Sequence, residues 1–157
     1  MENKQVILTN TIKSRVGINV PDLLLKRVWE KKGVKKSIDF ETLQQAFYDP
    51  SVEYLLREGI LYIDDMDVKI ALGLEEEDSA PRIIVLNDND LKRYMTIMPI
   101  FEFKTKVKEL GREQIQSLVD YAIENELTDY EKCEFLKEIT QTDIIRAVQL
   151  NRDNKEV

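Results

Sequence analysis

The stretch EGILYIDDMDVKIALGLEEED, residues 58–78, sets Asp64, Asp65 and Asp67 just after a short apolar run. Clustered carboxylates are what magnesium and calcium require, because both ions take several oxygen ligands. Adjacent side chains on a regular strand face opposite ways, however, so Asp64 and Asp65 cannot both serve one point from a strand. No glycine stands at the sixth position that a calcium loop needs for its sharp turn. A carboxylate here can instead accept hydrogen bonds from the free N–H groups of a following helix, whose positive end Asp67 also favours. The capping assignment explains more of the pattern than a metal does. NDND, residues 87–90, poses the same choice and precedes a strongly periodic segment, so capping is again expected.

The chain contains no histidine and a single cysteine, Cys133. That removes the commonest general base, the commonest metal ligand and every Ser-His or Cys-His nucleophile pair. It also removes internal disulfides and cysteine-rich zinc sites. Cys133 falls on the apolar stripe of its helix and is expected to be a buried, inert thiol. The five glycines are isolated and form no phosphate loop. These absences point away from an enzyme, with no cofactor and no metal expected.

Charge carries more information. Between Lys13 and Lys36, eight basic residues oppose only Asp22 and Glu30, so this window is +6 while the remainder of a −7 chain is −13. Lys26, Arg27, Lys31, Lys32, Lys35 and Lys36 surround Trp29, the only tryptophan. This is the candidate partner-binding site. Cations that neutralise phosphates, with an indole to stack on a base, would suit single-stranded nucleic acid. The same charges would suit an acidic protein surface, including another copy's helical half, or would simply guard a strand edge in water. Trp29 could equally fill the core.

The elements that must position these residues divide the chain. Short Val-, Ile- and Thr-rich runs predict strands over residues 6–12, 15–20, 24–30 and 34–39, joined in one small antiparallel sheet. EKKGVKK reads as a hairpin tip with Gly33 supplying positive φ. Helical spacing follows in Phe40, Leu43, Ala46 and Phe47 behind an Asp39 cap, and in Val52, Leu55 and Leu56 behind a Ser51 cap. ILYI is a brief strand, and MDVKIAL one or two helical turns. SVEYLLREG is too acidic to be a major-groove reader. EEEDSAP, residues 75–81, reads as an acidic linker. RIIVL suggests one more strand, after which five helices follow, the last capped by Thr142 and fraying at NRDNKEV. The predicted class is α+β: a β-rich domain over residues 1–74, the linker 75–81, and a helical bundle over 82–157. No apolar run is long enough to span a bilayer, and the start lacks a signal-peptide pattern, so a soluble, cytoplasmically made protein with no membrane partner is expected.

Three segments, VGINVPDLLLKRVWEKKGVKKSIDF, YDPSVEYLLREGILYIDDMDVKIALGL and DYAIENE, resemble a group of small, uncharacterised virion-associated proteins of tailed bacteriophages. The resemblance spans roughly residues 15–152 and is one of whole segments, with no catalytic motif to carry over. It implies a structural or accessory protein of the capsid, neck or tail, made in the host bacterial cytoplasm and located in the virion. It further implies other virion proteins as partners and a multicopy or homo-oligomeric state. The alternative is a small nucleic-acid-binding or regulatory protein using residues 26–36.

Overall fold

The computed structural model describes residues 4–155 and shows an α+β chain that divides into two compact units after Val85. In the first unit, β1 (Gln5–Asn10), β2 (Val16–Val20), β3 (Leu25–Trp29), β4 (Lys35–Asp39) and β5 (Leu61–Ile63) are joined by α1 (Phe40–Ala46), α2 (Pro50–Arg57) and α3 (Met66–Ala71). β1 alternates as a one-sided strand must: Val6, Leu8 and Asn10 are buried while Gln5 and Ile7 are exposed. The inward residues join Ile18, Leu25, Trp29, Ile38, Leu43, Val52, Leu56 and Leu61 in one hydrophobic core.

The strands do not form the single sheet expected. β1 is the centre of a three-stranded antiparallel sheet, ordered β4-β1-β5, and β2 pairs only with β3. The expected β3–β4 hairpin is therefore replaced by a connection between two sheets. At the end of β3, Trp29 is fully buried and donates its indole N–H to the Leu8 carbonyl of the three-stranded sheet, 2.9 Å away.

Caps fall where free helix N–H groups demand them, with two reassignments. Asp39 caps α1 through the Thr42 N–H. Asp49, not Ser51, caps α2 and accepts from both the backbone and the hydroxyl of Ser51. Pro50 then occupies the first turn, where its missing N–H costs nothing. The acidic stretch 75–81 is not a linker between the units. Glu75 is buried, and its carboxylate accepts the N–H groups of Arg82 and Ile83. RIIVL forms no strand, because Ile83 is drawn instead onto the first core and Val85 lies beside Gly59. The unit boundary thus falls later than expected.

The second unit is helical: α4 (Asp88–Thr96), α5 (Ile100–Val107), α6 (Arg112–Glu124), α7 (Tyr130–Thr140) and α8 (Ile144–Lys155). α6 is the hub and packs against α4, α7 and α8. Leu118, Val119 and Ala122 supply its buried stripe at helical spacing. Asp143, rather than Thr142, caps α8 through the Arg146 N–H. α8 continues through Lys155 instead of fraying at Asn151, while Glu156 and Val157 lie outside the described residues.

Candidate docking surface

The basic stretch of the first unit is displayed by paired backbone. Lys26 and Arg27 stand exposed on β3, Lys31 exposed and Lys32 half-buried in the connecting turn, and Lys35 and Lys36 exposed on β4. β3 pairs with β2 through Asn19↔Lys26 and Ile18↔Arg27, and β4 with β1 through Leu8↔Lys36 and Thr9↔Lys35. β3 also contacts β4, so the two basic strands adjoin. Because β4 is an outer strand of its sheet, its lysines line an edge, where charge blocks unwanted strand pairing.

One expected member of the site is corrected. Trp29 has 0% exposure, so it offers no face to a partner. Its apolar body fills the first core and its N–H is satisfied internally. Its role is to fix the strand that carries Lys26 and Arg27.

Asn10, which sequence reasoning passed over, does comparable work for the turn. Its backbone N–H donates to Val34 and its carbonyl accepts from Gly33, at 3.0 and 2.8 Å. Its side chain accepts the Ile12 N–H and donates to the Ser14 carbonyl. Gly33 has φ +88°, a conformation that suits glycine, as the hairpin-tip expectation required. The turn bearing Lys31 and Lys32 is thus pinned to β1 rather than to its own flanking strand. The available signal was phase: Asn10 continues the inward series Val6, Leu8.

Among the described residues, four of these cations have no carboxylate paired with them. No described acidic side chain forms an ion pair with Lys26, Lys31, Lys35 or Lys36, whereas Arg15 and Glu30 pair nearby at 3.4 Å. Asp39 lies within the field of Arg27. Its carboxyl is held below the usual range mainly by hydrogen bonds from Thr42, with a smaller contribution from that guanidinium.

The other chemical candidates resolve into structural roles. Asp65 caps α3 by accepting from Asp67 and Val68 N–H, and its other oxygen meets Lys4 Nζ at 2.5 Å. The Lys4 hydrogen bond is the main reason its carboxyl is held low. Among the described residues no three His, Cys, Asp or Glu side chains converge to hold a metal. Asn87 and Asp90 form a reciprocal capping box at α4. Cys133 is buried, and loss of hydration pushes its thiol up to about 11. Lys132 is also buried: its ammonium donates to the Tyr94 carbonyl at 2.7 Å and lies 5.3 Å from the Phe103 ring centroid. It serves the negative end of α4, at the cost of a pKa pushed down by burial. A shallow depression of about 380 Å³ lies on the outer face of the three-stranded sheet, lined by Ile7, Thr9, Lys35, Asp64 and Asp65. It brings the Asp64 and Asp65 carboxylates near Lys35.

No helix among the described residues is long and apolar enough to cross a membrane. Comparison of the chain with family models, with curated proteins and with solved structures finds no match.

Proposed function

We propose that the chain is a non-enzymatic structural or accessory component of a tailed-phage particle that docks onto other proteins through its basic surface. The observation that carries this reading is the fixed display of Lys26, Lys31, Lys35 and Lys36 on paired backbone with no acidic partner among the described residues. Holding like charges together costs self-repulsion, which a complementary surface relieves. The segment resemblance directs the docking to a virion. Quantitative mass spectrometry of purified particles tests it: the protein is expected at a fixed copy number, and its absence would overturn the assignment.

Nucleic acid is the second reading, and burial of Trp29 counts against it. Without an indole to stack on, only phosphate neutralisation remains, and that gives strongly salt-dependent binding. Tight binding of DNA at low salt, lost on changing Lys31, Lys32, Lys35 and Lys36 to Glu, would favour this reading.

A further inference from the structure

We infer that the corner between α4 and α5 is a peripheral contact for an anionic lipid surface. Ile97, Pro99 and Phe101 enter the lipid interface, and the cations beside them meet the headgroups. This contact is separate from the basic strands and does not rest on the docking role proposed for them. Ile97 is 72% and Phe101 83% exposed, and Pro99 between them is exposed as well. Both large side chains are out of phase with their own core. α4 turns Leu91, Tyr94 and Met95 inward and buried Met98 follows, whereas Ile97 falls outside that stripe. α5 buries Phe103 and Val107. At about 100° per residue, Phe101 stands roughly 200° from Phe103, so one rotation of α5 cannot bury both. Single exposed apolar residues need no partner, but three within one turn of chain form a patch.

The charge beside the patch selects the partner. Residues 91–108 contain Lys92, Arg93, Lys104, Lys106 and Lys108 against Glu102 alone, so this segment is +4 in a −7 chain. Asp88 and Asp90 stand in the first turn of α4, at the end away from the corner. Helical spacing puts Arg93 one turn before Ile97 and Lys104 one turn after Phe101. Part of this charge is engaged. Arg93 meets Asp90 at 3.9 Å, Lys106 meets Glu102 at 3.4 Å, and Lys104 Nζ lies 5.8 Å from the Phe135 ring centroid. Those ion pairs are open to solvent and weakly held. Among the described residues, Lys92 and Lys108 have no carboxylate paired with them. Apolar side chains flanked by cations suit a lipid interface, where the first pass into the acyl boundary and the second stay with anionic headgroups. Four of the five cations are lysines, a residue depleted in protein interfaces, and their flexible point charges match a diffuse field of headgroups. A peripheral contact of this kind needs no membrane-crossing helix.

Flotation of the purified full chain with vesicles tests this. The chain is expected to float with vesicles of phosphatidylcholine and phosphatidylserine in equal parts, not with phosphatidylcholine alone, and to be released as salt rises. Ile97→Ser/Phe101→Ser should weaken binding about tenfold at an unchanged melting temperature, because neither side chain is in the core. Lys92→Glu/Lys104→Glu should weaken it at least as much. A tryptophan introduced by Phe101→Trp should be quenched by brominated acyl chains, which buried Trp29 escapes. Wild type that stays off anionic vesicles at low salt would overturn the inference, as would Ile97→Ser/Phe101→Ser that binds like wild type. If binding is lost only in Lys31→Glu/Lys35→Glu/Lys36→Glu, the lipid contact belongs to the basic strands and the corner has no part in it.

Discussion

Trp29 ties the basic strand to the core, so its environment reports on the whole first unit. As the only tryptophan and fully buried, it should emit at short wavelength and resist quenching by acrylamide. Added DNA should leave that emission unchanged; quenching by either agent would contradict the placement. Trp29→Phe removes the donor to the Leu8 carbonyl and should destabilise by about 1–3 kcal/mol, read by denaturant unfolding. The composition around Trp29 could not decide its direction, because lysines flank core and surface aromatics alike. Strand phase alone does not decide it, because Arg27 shares the phase of buried Leu25 and Trp29 yet is exposed. The carboxylates behave as a group. Asp39, Asp49 and Asp143 are held low chiefly by hydrogen bonds from Thr42, Ser51 and Arg146, and Asp65 by Lys4. Their folded values lie below their unfolded ones, so the stability they add is complete above the ordinary carboxylate range. It is lost as pH falls through the lowered values. The melting temperature should therefore drop below about pH 4. Asp39→Asn/Asp49→Asn keeps both caps and should flatten that acid limb; an unchanged limb would show that these groups do not drive it.

Elements were legible where local chemistry sets them. Asp39 and the NDND cap lie beside clear helical periods, and α4 through α7 follow the apolar spacing that reveals them. Pairing was less legible, because β1 and β4 meet across a long sequence separation and nothing local states which strands adjoin. The acidic stretch misled for a related reason. Glu75 looks like one of four solvated acids, yet it alone turns inward to accept two backbone N–H groups. The resulting course of residues 82–85 makes Gly59 a tight point. A Cβ there would lie 2.9 Å from Ile83 Cγ2 and 3.1 Å from Val85 Cγ2, at φ +72°. Gly73 has φ +78° but open space around it. Gly73→Ala should cost about 1–2 kcal/mol of stability from backbone conformation alone. Gly59→Ala should cost about 1–3 kcal/mol more through overpacking. Equal losses in thermal or denaturant unfolding would argue against the seat of residues 82–85 on the first unit.

At the scale of the whole molecule, charge is the property that was most legible. The +6 window stands out in an acidic chain, and the fold keeps its cations outside by placing them on an outer strand, a two-stranded hairpin and the turn between them. The parts of the candidate site that stayed hidden are those that position it. The Trp29 and Asn10 hydrogen bonds both depend on β1, which supplies Leu8 and Asn10. The central claim is that this surface joins the protein to a particle. Its most direct test is the copy number, by quantitative mass spectrometry, of wild type and of Lys31→Glu/Lys32→Glu/Lys35→Glu/Lys36→Glu in purified particles. The account predicts a fixed number for wild type and near loss for a variant that keeps its melting temperature. Absence of wild type, or equal incorporation of the variant, would contradict it.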